Sequence, residues 1–161
     1  MTTKKTNKEP LATEIKAESE TIDNQFTTLL VASAPKLSNK STGKVSFEIA
    51  LNTEDKLRYF RLTSNDSGGL FSKEWLKLDD INSLLGSLPT DQPFKSSVFK
   101  SIIKGGSANN TSFISACLRC SDVALIIESE KSKYLHLPHP LLAKRMELLN
   151  NLKPIDSSSK K

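Results

Sequence analysis

The cysteines and histidines of the chain form one pattern, Cys117-Leu-Arg-Cys120 followed after fifteen residues by His136-Leu-Pro-His139. A C-x2-C pair followed by two histidines is an arrangement that can hold zinc. However, the histidine spacing is one residue short of the usual range, and prolines flank His139 on both sides. Cys117 also fits the apolar face of a predicted helix, where a free cysteine packs as a small hydrophobe. We predict buried cysteines and no metal site, and we leave the zinc hypothesis open.

Nucleophilic or acid–base chemistry has little support in the sequence. Phosphate-binding loops, dinucleotide-binding glycine motifs, zinc-protease motifs and the G-x-S-x-G nucleophile motif are absent from it. The acidic pair Glu54-Asp55 falls in a predicted turn, and Asp79-Asp80 falls at a helix start, where carboxylates complement the helix dipole. We expect neither an enzyme nor a cofactor, and we assign no catalytic residue.

The excess of basic over acidic residues is localised in one part of the chain. The segment 92–121 contains four Lys or Arg residues and no Asp or Glu, whereas residues 44–93 contain six basic and eight acidic residues. A surface of a single charge sign attracts polyanions. The sequence therefore predicts a local site for nucleic acid within a chain whose formal net charge is +5.

A polar stretch, 107–112, precedes an apolar helical pattern in the middle of this basic segment. Asparagine can pair with adenine through two hydrogen bonds, and short polar side chains at a helix start can reach base edges or phosphates. The same stretch also fits a simple capping turn. The predicted DNA-binding residues are Lys100, Lys104, Ser107, Asn109, Asn110, Thr111, Arg119, Lys131 and Lys133.

The first half of the predicted folded region consists of strands. Residues 44–51 alternate apolar and polar side chains, as expected for a half-buried strand. A turn at 52–55 and a second strand at 57–62 complete a hairpin. The turn signal at 65–69 then leads to a third strand over 70–78, which contains Trp75. Together these segments predict an N-terminal antiparallel hairpin or meander.

The second half is predicted to be mainly helical. Asp79 caps a short helix, a second helix spans about 94–104 before Gly105-Gly106, and a third spans 111–120, with a strand as its competitor. A hairpin over 123–137 and a last helix over 141–152 follow. This order resembles a winged helix-turn-helix, in which the third helix enters the major groove. The predicted fold class is therefore α+β, with a meander, a winged helix-turn-helix-like unit and a C-terminal helix.

The length of 161 residues and the hydrophobic content of 37% predict one domain with polar ends. We expect a mostly disordered region at 1–43, a folded domain at 44–152 and a disordered tail at 153–161. Within the first region, apolar residues recur at roughly helical spacing and suggest a docking helix over 11–30. They are Leu11, Ile15, Ile22, Phe26, Leu29 and Leu30.

Two cysteines, no signal-peptide pattern and no long apolar run predict a cytoplasmic protein without a membrane partner. The leading hypothesis is a small non-enzymatic DNA-binding protein, a regulator or accessory factor. The alternative is a protein-interaction module that does not contact nucleic acid. That module would bind a protein partner through residues 11–30 or through the hairpins of 44–78.

Overall fold

A computed structural model of the chain describes residues 25–38, 43–66 and 69–155. Its N-terminal half is a four-stranded antiparallel sheet whose strands follow one another in chain order. The predicted meander is therefore confirmed. The strands are β1 (Phe26–Pro35), β2 (Lys44–Asn52), β3 (Arg58–Asn65) and β4 (Leu76–Lys77).

Apolar and polar side chains alternate along the central strands, and the apolar ones form the core face of this sheet. Val45, Phe47 and Ile49 of β2 are fully buried, as is Phe60 of β3. The rings of Phe47 and Phe60 stack with their centroids 5.4 Å apart. Because successive strand residues point to opposite faces, the polar residues between them lie on the outer face. The hairpin predicted from this alternation is confirmed.

The helix predicted over 11–30 is wrong in its last five residues, which belong to β1. The remainder of that segment, up to residue 24, lies outside the described residues. A β-bulge after Thr28 places Leu29 opposite no residue of β2, so that Leu29 is buried and Leu30 also packs against the core. Two adjacent inward-facing leucines imitate helical spacing in the sequence. Residues 26–35 thus fold with the part of the chain that we expected to begin at 44.

The third strand, predicted over 70–78, is also shorter than expected because only Leu76–Lys77 pairs with β3. Residues 69–75 bond to side chains and not to a neighbouring strand. The Leu70 carbonyl accepts hydrogen bonds from Ser107 Oγ and Asn109 Nδ2, and the Ser72 amide donates to Asn110 Oδ1. These partners lie more than 35 residues away in the chain, and a local pattern cannot reveal them.

The C-terminal half combines three α-helices, one 3₁₀ helix and a small three-stranded sheet. The middle strand of this sheet is the last of the three in the chain. The predicted hairpin over 123–137 and the last helix are confirmed. The elements are α1 (Leu78–Gly86), β5 (Phe94–Lys95), the 3₁₀ helix (Ser96–Ser101), α2 (Asn109–Arg119), β6 (Ile126–Ser129), β7 (Ser132–Pro138) and α3 (Leu142–Asn150).

Two details of the predicted helices are wrong. Asp79 does not cap α1, since the N-cap is Lys77 and Asp79 lies in the first turn. The helix predicted over 94–104 is a two-residue strand followed by the 3₁₀ helix. Serines at three of the six 3₁₀ positions disfavour a regular α-helix. After this helix, the Glu74 carboxylate accepts hydrogen bonds from the backbone amides of Lys104 and Gly105, which fixes the chain in an irregular path.

Helix α2 exists as predicted, but eight of its eleven residues are buried. Its apolar side chains belong to the same core cluster as those of both sheets. In a winged helix-turn-helix, the corresponding helix presents one face to DNA. The described residues therefore form a mixed α/β fold with a four-stranded meander, and the winged-helix arrangement is not confirmed. Among the described residues, no helix is long and apolar enough to cross a membrane.

The difference in burial predicts that a Leu→Ala substitution lowers the free energy of unfolding more in α2 than in α3. Leu118 of α2 is fully buried, whereas the Leu148 side chain of α3 is 50% exposed. We expect Leu118→Ala to lower the free energy of unfolding by about 2–5 kcal/mol, because it leaves a cavity in the core. Leu148→Ala is expected to cost roughly 0.5 kcal/mol or less. Urea unfolding of both variants tests this, and equal costs would contradict the central position of α2.

Candidate functional site

A cleft of about 580 Å³ lies where α2, β7, the 3₁₀ helix and residues 36–38 meet. We call it the serine cleft. Among the described residues, its lining includes two lysines and six hydroxyl-bearing side chains, but no Asp or Glu. The charged and hydroxyl-bearing lining residues are Lys36, Lys95, Ser38, Ser96, Ser97, Ser112, Ser132 and Tyr134.

Strand β5 and the 3₁₀ helix position one wall of the serine cleft. Phe94 of β5 pairs with His136 of β7, and its ring lies 5.5 Å from the imidazole and 6.2 Å from the Phe99 ring. Both phenylalanines are buried. Because they face the core, the polar residues between them face outward, and Lys95 and Ser97 are exposed at the cleft.

Two cation–aromatic contacts lie at the serine cleft. The Lys36 ammonium lies 5.1 Å from the centre of the Phe113 ring, and Lys133 Nζ lies 5.2 Å from the centre of the Tyr134 ring. Both rings line the serine cleft. An ammonium group over a ring face is attracted by the ring quadrupole. These contacts therefore hold positive charge at the cleft beside the half-exposed Tyr134 ring.

A chain of hydrogen bonds runs from Arg119 of α2 through His136 of β7 to Ser96 at the serine cleft. Arg119 donates to His136 Nδ1 from Nε at 3.1 Å and from a terminal nitrogen at 2.9 Å. His136 is fully buried, and its Nε2 lies 2.9 Å from Ser96 Oγ. A guanidinium can only donate, so Nδ1 must accept and the imidazole proton must be on Nε2. Nε2–H therefore donates to Ser96 Oγ.

This arrangement keeps His136 neutral. Burial, and then the neighbouring Arg119 guanidinium, lower the pKa of His136 to about 4. Burial also lowers the pKa of Arg119, while its contact with Glu128 opposes that shift. Because the Nε2 proton of His136 points toward Ser96, the imidazole cannot act as a base for the Ser96 hydroxyl in this tautomer. The pair is arranged for hydrogen bonding and not for nucleophilic attack.

Arg119, one of the predicted DNA-binding residues, has most of its donors committed within the protein. Besides His136, it donates to Glu128 at 3.1 Å and to the carbonyls of Lys133 and Leu135 at 2.6 and 3.1 Å. Its side chain is only 16% exposed. Arg119 lies with Lys133 at a second cleft of about 510 Å³, on the other side of Lys36.

Three predicted residues near the start of α2, Ser107, Asn109 and Asn110, hold the irregular segment 69–75 and the loop before α2. Ser107 and Asn109 donate to the Leu70 carbonyl. Asn110 is 1% exposed, and its side-chain amide bonds both Ser72 N and Gly105 O. Thr111 is 9% exposed. These side chains explain the polar sequence at 107–111 by contacts inside the protein.

The remaining predicted lysines are divided among different surfaces. Lys100 is exposed at a third cleft of about 480 Å³, which adjoins the serine cleft at Ser97. The described residues that line this third cleft also include no Asp or Glu. Lys104 and Lys131 are exposed but line none of these three clefts. The structure thus brings five predicted residues to these two adjoining clefts and leaves Lys104 and Lys131 outside them. The five are Lys100, Ser107, Asn109, Asn110 and Thr111.

Sequence reasoning missed most of the serine cleft. Lys95 was visible as part of the basic segment 92–121, but no pattern marked it as a site residue. Lys36 and Tyr134 lie far from that segment in the chain, and the fold brings them to the same cleft. Ser96 carried no local signal, because its significance comes from its contact with His136, forty residues later.

The cysteine and histidine side chains do not come together at one site in the structure. Among the described residues, no group of three or more His, Cys, Asp and Glu side chains is arranged to hold a metal ion. Cys117 is buried, and burial raises the pKa of its thiol. His136 bonds Arg119 and Ser96, while His139 Nδ1 accepts a hydrogen bond from the Leu141 amide. Each imidazole thus has a partner of its own.

The aromatic residues of the first sheet form a compact stack on its outer face. Phe26 lies 3.9 Å from Trp75 in a nearly parallel arrangement and meets Tyr59 edge-on at 5.1 Å. The Arg61 guanidinium lies 4.2 Å from the Trp75 ring and also bonds Glu48. These rings are half-buried against one another. The hypothesis of a protein-binding patch on 44–78 therefore has less exposed aromatic surface to use than the sequence suggested.

The lowered pKa of His136 predicts a pH-dependent stability. Between pH about 6.5 and 4, the unfolded chain protonates this histidine while the folded chain does not, so the free energy of unfolding falls as pH falls through that window. The contribution of His136 is on the order of 3 kcal/mol. NMR titration of the imidazoles, assigned with a His139→Gln variant, should show the Nε2–H tautomer and the low pKa at His136. An Nδ1–H tautomer would contradict the hydrogen-bond chain.

Comparison of the chain with protein-family models, with curated proteins and with solved structures found no match. The geometry of the clefts is therefore the basis for a functional proposal.

Proposed function

We propose that this chain is a small non-enzymatic DNA-binding protein, an accessory factor or regulator, that contacts backbone phosphates at the serine cleft. The observation that carries the proposal is the lining of that cleft, in which the described residues combine lysines with hydroxyl groups and include no carboxylate. Phosphate oxygens accept hydrogen bonds and carry negative charge, so ammonium and hydroxyl donors bind them. A carboxylate in the lining would repel them.

The extent of the surface favours a polymeric anion over a small one. The cleft that contains Lys100 adjoins the serine cleft at Ser97, and no Asp or Glu occurs among the described residues that line either cleft. Basic side chains distributed along a groove match the repeated charges of a nucleic-acid backbone. Lys133, over the half-exposed Tyr134 ring, adds a further ammonium group beside the cleft.

The proposal assigns α2 a supporting role. Insertion of a winged-helix recognition helix into the major groove remains a prediction of the sequence. It would require Asn110 and Thr111 to reach base edges, whereas both side chains are buried and Asn110 bonds the protein backbone. Contacts with phosphate and sugar position a protein on DNA without reading its sequence. We therefore expect binding with little sequence preference.

Fluorescence anisotropy with a mixed-sequence duplex tests the proposal. We expect Lys95→Gln/Lys100→Gln to weaken binding to every sequence and to reduce the slope of log affinity against log salt by about 2, because two phosphate contacts are lost. A matched control, Lys73→Gln/Lys144→Gln, removes the same charge from exposed positions outside the three clefts.

The control separates a local site from a general charge effect. The proposal requires the control pair to retain the wild-type salt slope while the cleft pair loses part of it. Equal losses would place binding on the whole charged surface. No binding by the wild-type protein at low salt would refute the DNA-binding proposal and favour the protein-interaction alternative.

A further inference from the structure

Ser96 differs from the other serines of the serine cleft because the buried interior controls its hydroxyl group. It begins the 3₁₀ helix, lines the cleft and is half-buried. Behind it lies His136, which is fully buried and is held in one tautomer by two hydrogen bonds from Arg119. The side chain of Ser96 is therefore the last member of a directed chain that begins in α2.

The direction of that chain determines what Ser96 offers to a ligand. Since His136 Nε2–H donates to Ser96 Oγ, the serine uses one lone pair and keeps its own proton for another acceptor. In the opposite tautomer, the Ser96 hydroxyl would donate its proton to His136 Nε2 and would present only lone pairs to the cleft. Lone pairs repel phosphate oxygens, whereas a hydroxyl proton binds them.

We propose that Ser96 is a phosphate-binding residue, and that Arg119 and His136 are positioning residues which keep its hydroxyl proton available to a phosphate oxygen in the cleft. The inference rests on the proposed function for the identity of the ligand, a phosphodiester of DNA. A phosphodiester oxygen only accepts, so it matches a site whose donor is oriented in advance. Lys95, the adjacent residue, supplies charge at the same wall of the cleft.

Arg119 acts here without contacting the ligand. Its position is fixed by Glu128 and by two backbone carbonyls of β7 in addition to His136. Because the Arg119 side chain has only hydrogen-bond donors, the His136 Nδ1 atom that it contacts must be an acceptor. The basic residue that the sequence placed at the DNA interface is thus assigned to the interior, where it orients the hydroxyl that binds.

The first test compares Ser96→Ala with Ser101→Ala in the full chain. Ser101 is an exposed serine on the same 3₁₀ helix, and its hydroxyl bonds the Val98 carbonyl. We expect Ser96→Ala to weaken DNA binding about tenfold, because a hydrogen bond to a charged group is lost. The salt slope should stay at the wild-type value, since no cation is removed. Ser101→Ala should bind as the wild type does, and Ser96→Thr should recover most of the affinity.

Wild-type affinity in a folded Ser96→Ala variant would overturn the inference. A second measurement needs no variant and covers the case in which Ser96→Ala fails to fold. Inorganic phosphate is titrated into ¹⁵N-labelled wild-type protein, and we expect saturable shifts of the Ser96 amide and of the His136 Nε2 resonance. The amide of the exposed Lys73 should not move. Unshifted Ser96 and His136 signals would also overturn the inference.

The two probes distinguish this inference from the proposed function. Phosphate binding at Ser96 without any DNA binding would support the phosphate site and refute the DNA proposal. DNA binding that is insensitive to Ser96→Ala, with no phosphate effect at Ser96, would refute the site and leave the DNA proposal standing.

Discussion

Burial of α2 between the two sheets is the constraint on which the rest of the structure depends. Eight of its eleven residues are buried, and they include the polar side chains of Asn110, Thr111 and Ser115. A buried polar group must be hydrogen-bonded, or it costs free energy. Asn110 meets this requirement by bonding the backbone at Ser72 and Gly105, and Ser115 Oγ donates to the Thr111 carbonyl. The irregular segments around α2 are therefore shaped by its side chains.

The same constraint decides where binding chemistry can occur. Helix α2 is mostly enclosed by the core and contributes Asn109, Ser112 and Phe113 to the serine cleft, so most of the accessible polar groups there come from the elements that border it. The 3₁₀ helix, β7 and residues 36–38 supply them at the serine cleft. Arg119 links this border to the interior, because its partners on β6 and β7 fix it at the end of α2. One largely enclosed cation thereby joins α2, the small sheet and the cleft.

Local sequence patterns predicted much of the fold. The alternation in 44–51, the apolar spacing of α2 and the hairpin of β6 and β7 are short-range signals, and each corresponds to an element of the structure. The predicted elements were wrong where contacts between residues far apart in the chain determine the local structure. Strand β1 is irregular because of a bulge, residues 69–75 bond side chains from 107–110, and the 3₁₀ helix replaces an α-helix next to a strand pair with β7.

The candidate site was less predictable than the fold. The segment 92–121 contains no Asp or Glu, and the described residues that line the clefts around Lys95 and Lys100 include none either. Composition alone could not show that Asn110 faces inward, or that Lys36 and Tyr134 reach the same cleft. It also could not show that Arg119 binds His136, since the two residues are seventeen positions apart and their contact depends on the fold.

The most direct test of this account is an NMR titration of the labelled protein with a short DNA duplex. If DNA binds at the serine cleft, the backbone amides of 95–97 and 132–135 will shift. The side-chain amide of Asn110 will keep its position, because Gly105 and Ser72 already bond it. Shifts concentrated at the Asn110 side chain, with the serine cleft unchanged, would contradict the account and restore α2 as the element that contacts DNA.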